Sequence, residues 1–359
     1  MRRFEIKTKL PLALIAAVAL LPGTALSAPE GTRIELFRGG LDFPVDMVHV
    51  PGTKTIFFTE KNTGKIRILK GRELLEKPCY NLRVENTNEQ GAQGIALDPD
   101  YQNNHYLYVY FTSKQPTNAN RVVRFVVDNH QCTEKTFIFT DIPSSIIHNG
   151  GQLEFLDGYL FVSTGDAYDQ GGVQDTSNLK GKILRINADG SVPEDNPFSS
   201  LLDPNPVWSY GHRNPFGLTT RPGTSQLLET ENGPNCDDEI NLIGEGNNYG
   251  WGDGYPSDCE GPKVGVDPVD PLRRWGPTIA PTDPTWYRGP LEGLDDSLIM
   301  GDYNFGQIWQ LQLNEDGTAV EEETVIHDQR KGIIDVARGP RGWLYFLTAN
   351  SIKRFVAEP

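Results

Sequence analysis

Hydrophobic positions along the chain come in short runs of β-branched and aromatic residues, broken by glycine, proline, asparagine and aspartate. Such runs bounded by turn residues predict β-strands joined by turns. Six times a run rich in Ile, Val, Leu, Phe and Tyr is followed by a turn and a second such run. The pairs are TIFFTEK with KIRILKG, YLYVYFTS with RVVRFVV, YLFVSTG with KILRIN, QLLETEN with DEINLI, LIMGDY with QIWQLQL, and WLYFLTAN with SIKRFV. Their starts are separated by 51, 53, 67, 72 and 45 residues. A repeat near this length, with four short strands per unit, is the signature of a propeller, and six units predict an all-β, six-bladed β-propeller. A pair of two-sheet sandwiches is the competing arrangement. The early run RIELF at 33–37 is placed to complete the last blade and close the ring without an exposed edge. Extra length between the third, fourth and fifth units predicts long loops, the places where function concentrates.

Composition narrows the function classes. The 359 residues include 37 glycines and 26 prolines, too many for a helix bundle. Formal net charge is -15, which argues against a nucleic-acid partner, because phosphate binding needs clustered Lys and Arg. At the amino terminus, Arg2, Arg3, Lys7 and Lys9 precede the apolar run Leu10–Gly23, and small residues follow at Ala25, Ser27 and Ala28. Basic, apolar and small-residue segments in this order predict a cleaved signal peptide over 1–27, leaving one domain over 28–359. The apolar run is shorter than the roughly 20 residues a spanning helix needs, so no stable membrane insertion is expected. The expected location is periplasmic or secreted.

Export changes how Cys79, Cys132, Cys236 and Cys259 are read. They lack CxxC or His-rich spacing, which argues against zinc, and an oxidising compartment lets them pair. Cys236 with Cys259 is favoured because both lie in one loop-rich stretch. Cys79 with Cys132 then follows by elimination.

Candidate chemistry clusters at strand ends. His148 opens HNGGQLEF and Asp166 ends the following strand in STGDAYD. A carboxylate on one imidazole nitrogen fixes the tautomer and leaves the other nitrogen as a base; a structural His–Asp pair is the plainer alternative. His212, Arg213 and Asn214 form GHRNPFG, which offers a guanidinium and an amide to an anionic or carbonyl-bearing ligand, or else a turn held by its own side chains. Gly233 and Pro234 lie in ETENGPNCDDEIN, where backbone carbonyls among acids suit calcium, unless the loop is merely solvated.

Taken together, GLDFPVDMVHVPGTKTIFFTEKNTGKIRI, GAQGIALDPDY, HNGGQLEF, STGDAYD, NLKGKILRINADGSVPEDNPF, GHRNPFGL, ENGPNCDDEINLI, NNYGW and IAPTDPTWYRG resemble the glucose/sorbosone dehydrogenase family, from about Leu36 to Phe355. Members are soluble quinoprotein sugar dehydrogenases that use pyrroloquinoline quinone (PQQ) and calcium. The resemblance implies His148 as the base that takes the proton of the sugar C1 hydroxyl while hydride passes to the quinone, and Asp166 as its carboxylate partner. It implies Arg213 and Asn214 at the quinone oxygens, Glu89 beside the cofactor, and the carbonyls of Gly233 and Pro234 on calcium. An aldose would be the substrate, with an electron acceptor that the residues leave unspecified.

The chain departs from the family where PQQ carboxylates are clamped. The family places a lysine in the fifth blade and an R-x-R-D-V arginine pair before the last. Here Asn304 stands near the lysine position, and Gly332 and Ile334 replace the arginines. Arg288, Arg330 and Lys331 are the neighbouring cations. The GDY-xx-G-x-IW form, with YRG upstream, resembles a branch that includes hedgehog-interacting-protein-like propellers. An alternative function is therefore a non-catalytic, calcium-stabilised propeller that binds carbohydrate or protein.

Overall fold

Six antiparallel sheets, five of four strands and one of five, follow one another around a central channel in the computed structural model, which describes residues 28–198, 203–259 and 263–358. The stretch read as a signal peptide lies outside the described residues. From the channel outward, blade one consists of Pro44–His49, Thr55–Glu60, Lys65–Lys70 and Glu73–Leu74, with Tyr80–Asn81 also on the third strand. Blade two is Ala92–Leu97, Tyr106–Ser113, Ala119–Asp128 and Gln131–Ile142. Blade three is Gly150–Leu156, Tyr159–Thr164, Lys182–Ile186 and Val207–Tyr210, and blade four is Pro215–Thr220, Leu227–Glu231, Asp238–Ile243 and Arg273–Trp275. Blade five is Thr285–Tyr287, Ser297–Gly301, Gln307–Leu313 and Val320–Asp328. Blade six takes three strands from the carboxyl terminus, Asp335–Arg338, Leu344–Thr348 and Ser351–Ala357, and its outermost strand, Thr32–Gly39, from the start of the domain. The register of that closure runs from Thr32 opposite Ala357 to Gly39 opposite Ser351, so RIELF does close the ring.

The six paired runs of the sequence are the second and third strands of the six blades. They are the strands packed on both faces, which is why they read as nearly continuous apolar segments. Core packing follows the same geometry, with one hydrophobic cluster at each blade-to-blade junction. Phe57, Ile66 and Ile68 of blade one meet Leu107, Val109 and Phe125 of blade two. At the closing junction, Ile56 and Phe58 of blade one meet Tyr345, Leu347 and Ile352 of blade six.

Helical structure among the described residues amounts to single turns at Tyr101–Asn104 and Pro340–Gly342. Both expected disulfides are present: Cys79–Cys132, with Cα atoms 4.9 Å apart, and Cys236–Cys259, at 6.3 Å. The first joins the outer edges of blades one and two, and the second ties the loop after blade four's second strand to the long loop after its third. In the chain-entropy model, loops of 53 and 23 residues correspond to about 4 and about 3 kcal/mol respectively.

Candidate active site

Every second strand ends at one rim of the ring, and every first strand begins there. The residue after the second strand is Lys61 in blade one, Gly165–Asp166 in blade three, Asn232–Gly233 in blade four and Asp302–Tyr303 in blade five. Loops entering the first strands bring Phe43, Glu89, His148 and Asn214 to the same rim. The repeat thus delivers polar groups distant in sequence to one face.

His148 is held in a left-handed backbone conformation, with φ of 58°, immediately before the sharp Asn149–Gly151 turn. Gly151 is obligatory, because its φ is 112° and a Cβ there would lie 2.0 Å from Gln93 Oε1. This turn seats the imidazole against Asp166, with His148 Nδ1 2.8 Å from Asp166 Oδ1. Both residues are buried. The carboxylate is saturated by donors: Tyr168 N–H to Oδ1 at 2.7 Å and Trp251 Nε1–H to Oδ2 at 2.9 Å. An acceptor so placed holds the proton on Nδ1 and leaves Nε2 with its lone pair.

Arg213 belongs to the same network. Its backbone carbonyl accepts from Asp166 N–H at 2.8 Å. Its Nη1 donates to Asn232 O at 2.8 Å, and its guanidinium lies 5.4 Å from the Trp251 ring centroid. Burial lowers its pKa, opposed by the charges of Asp166, Glu231, Glu89 and Asp238. Asn214 Oδ1 accepts from Gly150 N–H at 3.1 Å. Glu89 accepts from His148 N–H at 2.6 Å, and burial raises its pKa against the pull of that bond and of the His148 and Arg213 charges.

Glu89 and Asn214 line a cavity of about 440 Å³ together with Lys61, Gln93, Asn232 and Tyr303. This size suits a cofactor or a small substrate. Gly233 and Pro234 line an adjoining recess with Arg213, Glu231 and Trp251. Gly233 has no room for a side chain, since a Cβ would lie 2.1 Å from Cys236 O, and its N–H donates to Asp238 Oδ1 at 2.8 Å. Asp238, which sequence reasoning passed over, also accepts from Ala280 N–H at 2.6 Å. Burial pushes its pKa up to about 6. The run of acids in CDDEIN was the available signal.

His212 is not at the cavity. Its Nδ1 lies 2.9 Å from Glu231 Oε2, its Nε2 lies 2.9 Å from Ser209 Oγ, and its ring stacks on Tyr249. Around this histidine the turn is held by its own side chains, while Arg213 and Asn214 face the rim.

The residues at the family's clamp positions supply no cation here. A Cβ on Gly332 would lie 2.6 Å from the Tyr303 ring, and Ile334 packs in the core where blades six and one meet while also lining the cavity. Asn304 is committed to Thr278 O at 2.9 Å, and Arg288 is paired with Asp296 at 2.9 Å, away from the cavity lining. The cation that does line the cavity is Lys61, which the sequence reading missed. Burial lowers its pKa, against the attraction of Glu89 and Asp42. Its signal was positional: it follows a second strand, as Asp166 does.

A closed six-bladed ring with this His–Asp pair and arginine at one rim defines a member of the glucose/sorbosone dehydrogenase family. The chain belongs to that family, whose model it matches over residues 41–356. It is 34% identical over 341 residues to the uncharacterized protein slr1608 of Synechocystis, covering 86% of this chain and 82% of that one. It is 27% identical over 344 residues to aldose sugar dehydrogenase YliI of Escherichia coli, covering 90% and 92%. Among solved structures, the PQQ-bound aldose sugar dehydrogenase of Streptomyces coelicolor aligns with a TM-score of 0.77 at 28% identity, covering 92% of this chain and all of that one.

Proposed function

We propose that the protein is an exported, PQQ- and calcium-dependent aldose dehydrogenase that oxidises the sugar C1 hydroxyl to a lactone. The observation that carries this reading is the His148–Asp166 contact of 2.8 Å, with Trp251 anchoring the carboxylate's second oxygen. Nε2 of His148 is then the base that accepts the hydroxyl proton, while the C1 hydrogen leaves as hydride. PQQ, when bound, is the two-electron acceptor for that hydride, with calcium as Lewis acid on its carbonyl.

The residues present fit the quinone end of such a cofactor. Arg213, whose Nε is buried without a partner, supplies positive charge where negative charge develops, and Asn214 supplies an amide. The carbonyls of Gly233 and Pro234, in a recess also lined by Asp237, are hard oxygen donors of the kind calcium prefers. Lys61 lines the cavity with its Nζ donating to Asn88 O at 2.5 Å, and it would supply a single point charge to a cofactor carboxylate there. The two disulfides and the basic-then-apolar amino terminus support a periplasmic or secreted location.

The test is steady-state dye reduction by purified protein given PQQ, calcium and an aldose. Turnover that needs all three, and that falls about 100- to 10,000-fold in His148→Ala, is the expected result. No turnover in the folded, fully supplemented protein would favour the non-catalytic carbohydrate- or protein-binding propeller, the reading that the missing clamp supports.

A further inference from the structure

The far end of the central channel, opposite the His148 rim, opens into a cavity of about 700 Å³ lined by the inner strands of several blades. Three carboxylates converge there: Asp46 from blade one, Asp283 just before the inner strand of blade five, and Asp335 from blade six. One oxygen from each lies within 4.8 Å of the other two. The three residues are only 5%, 9% and 1% exposed.

Part of this arrangement has an ordinary explanation. Asp46 Oδ2 accepts from Ile95 N–H of blade two at 2.7 Å, and Asp283 Oδ1 accepts from Leu218 N–H of blade four at 3.0 Å. Val336 N–H, next to Asp335 in blade six, donates to Asp283 O at 3.2 Å. These bonds stitch neighbouring inner strands together. They do not account for Asp335 Oδ2, which is buried and has no hydrogen-bond partner. Nor do they account for the charge: among the described residues no lysine or arginine forms an ion pair with any of the three. Glu154, from the inner strand of blade three, adds a fourth buried carboxylate whose field reaches Asp283. Burial pushes Asp46 up to about 7, and burial together with neighbouring carboxylates pushes Glu154 to about 7 and raises Asp283 and Asp335 well above the usual carboxylate range. Like charges so close and so dry are stable only when a proton or a cation neutralises them.

We propose that Asp46, Asp283 and Asp335 form a site for a calcium-class divalent cation in the channel, separate from the rim. The donor set is oxygen only, which excludes the sulfur- and imidazole-seeking metals and suits a hard cation. The adjoining cavity leaves room for the waters that such an ion retains. Blades five, six and one contribute the ligands, and blade six is the one closed by the strand from the start of the domain. The cation therefore ties the ring together at its seam. This inference does not depend on the dehydrogenase reading.

The experiment measures bound calcium and thermal midpoint for the folded full-length protein, stripped with chelator and kept free of PQQ, beside Asp335→Asn. Wild type is expected to take up roughly one equivalent more calcium than the variant, and to gain a concentration-dependent rise in midpoint that the variant lacks. Comparing the two proteins removes any calcium bound at the Gly233–Pro234 rim, which both retain. Should Asp335→Asn fail to fold, Asp283→Asn serves in its place. No calcium uptake by wild type overturns the proposal, as does equal uptake by a folded variant. Stability that rises on acidification of calcium-free wild type, with calcium having no effect, assigns the neutralising role to a proton and also overturns it. Absence of sugar oxidation leaves all of these readouts unaffected.

Discussion

Replacing Asp166 by asparagine keeps the size of the side chain and removes the charge that orients His148. The carboxylate accepts three bonds, from His148 Nδ1, Tyr168 N–H and Trp251 Nε1, at 2.7 to 2.9 Å. An amide has one acceptor and one donor end, so it cannot keep both sides of that set. If its oxygen stays with His148 and Tyr168, its NH₂ opposes the Trp251 donor. If it turns, its NH₂ faces Nδ1 and drives the imidazole proton to Nε2, which then cannot act as a base. Either arrangement loses a charge-assisted bond of about 1.5–3 kcal/mol, which converts to roughly a 10- to 150-fold loss in turnover. In the first arrangement the loss is smaller than the one expected for His148→Ala, because Nε2 keeps its lone pair. The assay is dye reduction at saturating PQQ, calcium and aldose, with the circular dichroism spectrum as a check on folding. An unchanged kcat in folded Asp166→Asn would refute the assignment of Asp166 as the group that sets the His148 tautomer.

Lys61→Ala should weaken PQQ affinity about 10- to 100-fold, the worth of one charge-assisted contact, while leaving kcat at saturation nearly unchanged; a titration followed by quinone absorbance measures it, and unchanged affinity would remove Lys61 from the cofactor site. Lys182 is fully buried in blade three, donates to Val173 O at 2.8 Å, and has its pKa pushed down to about 7 by burial. Because the unfolded lysine holds its proton to about 10.4, stability should rise with pH between about 7 and 10 from this group, and Lys182→Met should flatten that rise in denaturant titrations. An identical slope in the two proteins would contradict the assignment. Non-reducing peptide mapping of the exported protein should recover Cys79 with Cys132 and Cys236 with Cys259; free thiols at these positions would contradict both pairings.

The parts of the fold that were legible in the sequence are those whose burial is two-sided. TIFFTE and YLFVST pack against a blade on each face, so nearly every residue is buried and the apolar stretches IFF and YLFV stand out. Inner strands such as PVDMVH and GGQLEFL carry proline, glycine and acids, and their pairing is interrupted by register shifts at Pro44/Met47 and Gly150/Leu153. They therefore lack the unbroken apolar run that marks the second and third strands. The residues of the site separate in the same way. His148 and Asp166 follow strong runs in glycine-marked turns, whereas Lys61 resembles an ordinary surface lysine until the repeat places it at the rim. Asp335 stood in the sequence as the residue after the missing arginine pair, with nothing local to show that Asp46 and Asp283 would meet it across the channel.

The most direct test of the account is a single-turnover measurement on protein loaded with PQQ and calcium, mixed anaerobically with an aldose while the quinone spectrum is followed. Wild type should convert the oxidised quinone spectrum to the reduced one and release one lactone per bound cofactor. His148→Ala, loaded to the same extent, should do so about 100- to 10,000-fold more slowly. If the loaded wild-type protein leaves the quinone oxidised in saturating sugar, or if His148→Ala reduces it at the wild-type rate, His148 is not the base of a sugar dehydrogenase.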